Sequence, residues 1–312
     1  MKDFDPRTLK KLYIPPPNSH KGQNGRLLLI SGSKLFHSSS LWALKVASRI
    51  VDMVFYSSVD ENNQIVRQAK TEFRDGIVVP RSKVEDYVRE ADCILIGPGL
   101  PRKDGEQEGD NDTKELTERL LKKYPDKKWV LDGGSLQTID TQLIPRNAIL
   151  TPHRREFEMI RLKTQFSNGE SKLKTTFCNA EQNSKLQEQV KIFAEIYNCT
   201  IVLKGPTDII CGLDKSVRPP TRLLRRSGYE GRVKLRRVKG GNAGMTKGGT
   251  GDVLAALIAG LYCKNEDPFL VASAGSFINK KAGESLFARV GYYFNASDLV
   301  DEIPKVMKEQ LL

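Results

Sequence analysis

Cysteine is scarce in this chain and never closely paired. The five cysteines (Cys93, Cys178, Cys199, Cys211 and Cys263) are widely spaced, and no Cys-x-x-Cys occurs. That pattern argues against a disulfide framework or a zinc ribbon and favours a reducing cytoplasm. Long apolar runs are also missing. The longest, Val253 to Tyr262, contains Gly260 and falls well short of the roughly 20 residues a membrane helix needs. The opening Met1-Lys2-Asp3-Phe4-Asp5-Pro6 has no apolar stretch of the kind that directs secretion. There is no internal repeat and no Pro- or Ser-rich linker to divide the chain. The 312 residues are 39% hydrophobic and 28% charged. That composition excludes a disordered chain and supplies a sizeable core. One domain over residues 5–312 is the expectation.

The net charge of +12 is not spread evenly. Residues 218–239 carry nine Lys/Arg against one Glu, which leaves only +4 for the other 290 residues. A compensating run, Asp104 to Glu118, has seven acids and one lysine. Both segments suit solvated loops. The basic strip, with Arg222, Arg225, Arg226, Arg236 and Arg237, also suits a phosphate-rich ligand or RNA. A charge excess confined to one strip makes a nucleic-acid-binding protein the weaker reading.

Apolar runs alternate with helical spacings. Leu27–Ile30, Met53–Tyr56, Cys93–Ile96, Trp129–Leu131, Ala148–Leu150, Thr200–Leu203 and Asp208–Cys211 read as strands, and Val233–Val238 as a hairpin strand. Helices are expected over Ser38–Val51, Val84–Arg89, Thr113–Lys123 and Gln182–Tyr197, then over 252–263, 267–289 and 296–310. The polar stretch Leu162–Asn179 reads as a surface insertion. This alternation predicts an α/β fold with a mostly parallel sheet.

Ligands of such sheets collect at the carboxyl ends of the strands. Here five ends are small, polar or Gly-rich: Ser31-Gly32-Ser33, Gly97-Pro98-Gly99-Leu100, Asp132-Gly133-Gly134-Ser135, Thr151-Pro152-His153 and Lys204-Gly205. The most specific segment is Gly241-Asn242-Ala243-Gly244-Met245-Thr246-Lys247-Gly248-Gly249-Thr250-Gly251-Asp252, just before an apolar helix. Glycines let backbone N–H groups approach a phosphate, and a helix N-terminus adds partial positive charge. The spacing is neither a Walker A loop nor a dinucleotide fingerprint. Asp252 has two readings: a helix N-cap, or a base that takes a proton from a substrate hydroxyl. Lys247 is either a phosphate contact or an exposed lysine. Asp132 either orders the sheet end or holds a metal-bound water. His20 and His37 read as loop residues.

These segments resemble the ribokinase-like superfamily and, within it, the ADP/ATP-dependent NAD(P)H-hydrate dehydratases. The resemblance rests on Ser19-His20-Lys21-Gly22 with Gly25-Arg26, Ile96-Gly97-Pro98-Gly99-Leu100, and Leu150-Thr151-Pro152-His153 with Glu156-Phe157. It also rests on Val202-Leu203-Lys204-Gly205-Pro206-Thr207-Asp208, Asn242 to Asp252, and Ala296-Ser297-Asp298-Leu299 with Ile303-Pro304. Three departures stand out. Phe36-His37-Ser38-Ser39 replaces an aromatic followed by Gly-Ala, Gly134 replaces a second acid, and the segment before the glycines is lengthened.

The resemblance implies a ribokinase-like three-layer sandwich, with a mostly parallel central sheet flanked by helices. It implies a reaction in which ADP or ATP, with Mg2+, phosphorylates the ring hydroxyl of the S form of hydrated NADH or NADPH. Loss of phosphate then restores the double bond. Asp252 would be the catalytic base. Ser39, Gly99, His153 and Asp252 would bind the hydrated dinucleotide. Lys204, Gly205, Pro206, Thr207, Asp208, Asn242, Gly249, Thr250 and Gly251 would bind the nucleotide. The resemblance also implies a homo-oligomer, in some relatives a tetramer, and a separate epimerase in the pathway. Two rivals stand beside it: a vitamin-precursor or sugar kinase on the same fold, and an inactive RNA-binding or regulatory relative.

Overall fold

The structure is a computed structural model that describes residues 1–102, 112–167, 179–213 and 233–312. Its strands are β1 (Lys2–Asp3), β2 (Arg26–Ile30), β3 (Met53–Ser57), β4 (Ile77–Val78), β5 (Cys93–Ile96), β6 (Lys128–Leu131), β7 (Ile149–Leu150), β8 (Thr200–Leu203), β9 (Asp208–Leu213) and β10 (Val233–Val238). Its helices are α1 (Ser38–Ala47), α2 (Asp60–Ala69), α3 (Val84–Glu90), α4 (Thr113–Lys123), α5 (Gly133–Thr138), α6 (Arg154–Ser167), α7 (Asn179–Tyr197), α8 (Thr250–Lys264), α9 (Pro268–Val290) and α10 (Ala296–Leu311).

All ten strands form one sheet in the order β1-β10-β9-β8-β7-β6-β5-β2-β3-β4. Pairing is parallel except where β9 meets β8 and β10. A buried parallel strand must be apolar on both faces, and alternate residues here divide between two cores. Leu27, Leu29, Cys93, Leu95 and Val130 pack under α1, α8, α9 and α10. Leu28, Ile30, Ile94, Ile96, Trp129 and Leu131 pack under α3 to α7. The result is three layers, helix–sheet–helix.

The chain order reverses between β2 and β5. From β2 the sheet grows outward through β3 and β4, and from β5 it grows the other way through β6, β7 and β8. Such a switch point opens a crevice at the carboxyl edge. There the Gly32 N–H donates to the Pro98 carbonyl at 2.8 Å, tying the first two Gly-rich strand ends together.

Several boundaries differ from the sequence expectation, each for a local reason. α1 ends at Ala47, and Arg49 and Ile50 continue in tight turns. α2 was not expected because its buried positions include Asn62 and Asn63 as well as Val66, which blurs the apolar period. α5 starts on two glycines that read as a turn. α6 runs to Ser167, into the stretch expected as an insertion; residues 168–178 of that stretch lie outside the described residues. So do 104–111 of the acidic run and 218–232 of the basic strip, with Arg222, Arg225 and Arg226. The rest of the strip is β10 and Lys239. There Arg237 and Lys239 pair with Asp3 of the neighbouring edge strand at 2.7 and 2.9 Å.

Candidate active site

α8 carries the Gly-rich turn at its head. Its N-cap is Gly249, in the left-handed region at φ 91°, and no side chain caps the helix. A Cβ at Gly249 would overlap the Trp42 ring, so that position admits only glycine on both counts. Trp42 is fixed from behind, its indole N–H donating to Ser297 Oγ at 3.0 Å. Asp252 is therefore not the cap; it is the third residue of the helix, which corrects the first of its two readings. Thr250 closes the turn, its hydroxyl donating to the carbonyls of Met245 (2.7 Å) and Lys247 (3.0 Å). The Thr250 N–H lies 3.4 Å from the Lys247 carbonyl. Lys247 is exposed but not free: its ammonium donates to the carbonyls of Tyr292 and Phe294.

The five strand ends converge beside this turn. Asp132, at the end of β6, is buried and accepts from Thr151 Oγ1 at 2.7 Å and from Lys204 Nζ at 2.9 Å. This favours the reading in which Asp132 orders the sheet end. His153 and Lys204 face each other in a parallel bridge. A Cβ on Gly251 would stand 3.2 Å from Lys204 Nζ, so the ammonium sits beside the helix N-terminus. Burial works to neutralise Lys204, but Asp132, Glu156 and Asp252 outweigh it and keep the group charged.

Burial pushes the Asp252 carboxyl up to about 6, and the Asp132 charge adds to the rise; the Ser39 hydroxyl and Lys204 pull the other way. A carboxyl held near 6 is ionised at neutral pH yet far more basic than an ordinary aspartate, as a general base requires. Ser39 is buried at the start of α1. A Cβ on Gly99 would lie 2.7 Å from Ser39 Oγ, so only glycine leaves room for that hydroxyl. Ser39, Gly99 and Asp252 thus form one group.

On the other side of Gly251 lies a cleft of about 600 Å³, within the range of small-molecule sites. Its lining includes His153, Lys204, Gly205, Pro206, Asp208, Asn242, Thr250 and Gly251. Thr207 is exposed and stands outside that lining. Asp208 is buried, and its carboxylate already holds the Gly205 N–H (2.9 Å), the Ser276 hydroxyl (2.7 Å) and Lys280 (3.3 Å). Asn242 accepts from the Gly244 N–H at 2.9 Å and donates to the Gly283 carbonyl at 2.7 Å, which fixes the loop. Sequence reasoning missed Lys280, Trp42 and the part played by Glu156. Glu156 was visible in its motif; Lys280 and Trp42 left no local signal, because tertiary packing alone brings them here.

No group of three His, Cys, Asp or Glu among the described residues could hold a metal ion. Mg2+ is commonly held by a nucleotide's phosphates with one or two carboxylates, and Asp132 and Asp252 are the carboxylates at the turn.

Known proteins of similar sequence and fold point to one family. A family model described as NAD(P)H-hydrate dehydratase matches residues 27–219 and 230–305. The chain belongs to the NAD(P)H-hydrate dehydratase family. It is 34% identical over 307 residues to the bifunctional NAD(P)H-hydrate repair enzyme of Methanocaldococcus jannaschii, covering 96% of this chain and 51% of that protein. It is 31% identical over 317 residues to the ADP-dependent (S)-NAD(P)H-hydrate dehydratase of Nitrosopumilus maritimus, covering 96% and 95%. The chain spans about half the length of the bifunctional relatives it matches. Among solved structures, a ribokinase-like superfamily protein of Enterococcus faecalis aligns at TM-score 0.74 with 20% identity, covering 99% and 96%. The ADP/ATP-dependent NAD(P)H-hydrate dehydratase of Bacillus subtilis, crystallised with ATP and Mg2+, aligns at 0.71 with 22% identity, covering 99% and 98%. The fold is ribokinase-like, as the sequence resemblance implied. The dehydratase family is supported over the kinase and RNA-binding alternatives. No helix among the described residues is long and apolar enough to cross a membrane.

Proposed function

We propose that this protein dehydrates the S form of hydrated NADH and NADPH, a repair reaction that consumes ADP or ATP. The observation that carries the reading is Asp252: a carboxyl held near 6, on the first turn of α8, between the Ser39–Gly99 group and the Lys204 ammonium. Membership of the family supports it.

The ring hydroxyl of the hydrated nicotinamide lies against Asp252, which takes its proton. The hydroxyl oxygen attacks the terminal phosphoryl group of the nucleotide. Backbone N–H groups of Gly249, Thr250 and Gly251, with the head of α8, carry the charge that develops on the phosphoryl oxygens. Lys204 adds a fixed positive charge beside Gly251. Asp132 and Asp252 are the carboxylates that would meet Mg2+ brought in with the nucleotide, and that ion would neutralise the phosphates. The C–O bond of the phosphorylated ring carbon then breaks and phosphate leaves with the electron pair; the adjacent ring carbon gives up a proton, and its C–H electrons become the restored double bond. With ADP the products are the reduced dinucleotide, AMP and phosphate.

In this reading residues 5–312 act as one domain, the protein works in the cytoplasm as a homo-oligomer, and a separate epimerase supplies the S form. The test is to incubate the protein with hydrated NADH and either ADP or ATP, following the return of NADH absorbance. No return with either nucleotide would overturn the reading.

A further inference from the structure

α9 forms one wall of the cleft, and Lys280 fixes it there. The Lys280 ammonium is buried and pairs with Asp208 Oδ1 at 3.3 Å. It also donates to the carbonyls of Gly205 (3.0 Å), Pro206 (3.3 Å) and Gly240 (3.4 Å). One side chain thus ties the helix to both loops that border the cleft. Asn279, the residue before it, lines the same cleft and is 5% exposed.

The protein makes no use of the Asn279 amide. Its Oδ1 is sealed from solvent and has no hydrogen-bond partner, and among the described residues its Nδ2 makes no bond either. Asparagine is an unfavourable choice here on two counts. It is a poor helix former, yet it stands in the interior of a 23-residue helix. A buried polar group without a partner also destabilises the fold. Leucine, of similar shape, would avoid both penalties. The amide therefore calls for a partner that the chain itself does not supply.

With neither end held, the amide can turn about its last bond and present oxygen and nitrogen in either order. It is neutral, so it is not a second phosphate site; the turn at Gly249–Gly251 and Lys204 serve the phosphates. Beside it the cleft is lined by Ala243, Met245 and Leu254, apolar surface that suits a flat base. An acceptor and a donor side by side match the edge of adenine, where the 6-amino group donates next to a ring nitrogen that accepts.

We propose that Asn279 reads the base of the nucleotide and selects a 6-aminopurine. Oδ1 accepts from the exocyclic amino group, and Nδ2 donates to the neighbouring ring nitrogen. Lys280 is the positioning residue that holds Asn279 against both loops. The inference rests on the proposed function, which puts a nucleoside phosphate in the cleft, and deepens it by giving the choice of base to one side chain.

The probes are ADP and purine riboside 5′-diphosphate, which lacks the 6-amino group, with binding in Mg2+ followed by calorimetry. Wild type should bind the analogue about five- to tenfold more weakly than ADP, the share of one hydrogen bond. Asn279→Leu should lose at least that factor for ADP and bind the two nucleotides equally. Without ligand it should melt no lower than wild type, because an apolar group of similar shape replaces an unpaired amide. A variant that keeps the wild-type preference for ADP, or that weakens both nucleotides by the same factor, would overturn the assignment. So would a wild type that binds both nucleotides equally, a comparison that needs no variant. Wild type that binds neither nucleotide overturns the functional reading together with this one, whereas tight binding with no part for Asn279 overturns this one alone.

Discussion

Lys204 Nζ and Thr151 Oγ1 both donate to the same oxygen of Asp132, at 2.9 and 2.7 Å. Asp132 thereby joins the ends of three neighbouring parallel strands, β6, β7 and β8, and its charge is felt by Lys204 and by Asp252 alike. Asp132→Asn would strip the partly buried Lys204 ammonium of its hydrogen-bonded counter-charge. Breaking one side of a fully buried pair costs about 3–5 kcal/mol; Lys204 opens onto the cleft, so urea denaturation should show a smaller loss. The same change removes a repulsion on Asp252, so the acid limb of kcat/KM should move to lower pH. An unmoved limb would show that the two carboxylates are not coupled.

Asp252→Asn should reduce turnover by about 10²–10⁴-fold, the usual contribution of a general base, with the fold retained. Gly249 caps α8 without help from this side chain, so the helix does not depend on it. Near-native turnover of the variant would remove Asp252 from the mechanism.

Wild-type kcat/KM should fall as pH drops through about 6, where the Asp252 carboxyl takes up a proton. The sign for stability is the reverse. The folded value lies above the ordinary 3.8, so folding favours the protonated form. The penalty is absent below about pH 3.8, grows up to about pH 6 and is constant above. Asp252→Asn should therefore melt higher than wild type at pH 8, with the gap closing towards pH 4. A gap that widens on acidification would contradict the buried, repelled carboxyl.

Gly249 and Gly248 are adjacent and should respond oppositely. Gly249→Ala forces a side chain into a left-handed backbone and into the Trp42 ring, whereas a Cβ on Gly248 meets nothing within 4 Å. Gly249→Ala should lower stability by more than about 1 kcal/mol and abolish nucleotide binding. Gly248→Ala should match wild type in a thermal-shift assay with ADP.

Nucleotide should raise the melting temperature, by an amount set by ligand excess: about 2.7 kcal/mol at 100 times Kd. ADP, ATP and AMP tested with Mg2+ would rank the donors. No shift with any of them would count against phosphoryl transfer altogether.

The strands were legible because runs such as Leu27-Leu28-Leu29-Ile30 are buried on both faces and need no partner information to be recognised. The strand-end rim was legible for a related reason: small and polar residues stop an apolar run abruptly. What stayed hidden depends on contacts distant in sequence. β1 and β4 are two residues long and exist only as edges to longer strands. α2 turns Asn62 inward, where its amide donates to Ser40, Tyr56 and Ser58; a buried polar network reads in sequence as a solvated face. Asp252 stood out as a base or a cap, but choosing between them required the φ angle of Gly249. Asp208 shows the limit of carrying a motif over: its position in the cleft wall was foreseen, its engagement with Ser276 and Lys280 was not.

Trp42 lies against Gly249, half-buried, while Trp129 is sealed in the opposite core. These are the chain's two tryptophans. One indole therefore borders the phosphate turn and the other is a constant background. Intrinsic fluorescence becomes a label-free gauge of the turn: ligand arrival should perturb the Trp42 emission and leave that of Trp129 unchanged. A Trp42→Phe protein, with only Trp129 emitting, should be optically silent to nucleotide, so stopped-flow traces of the two proteins would time the filling of the turn separately from the chemistry that follows.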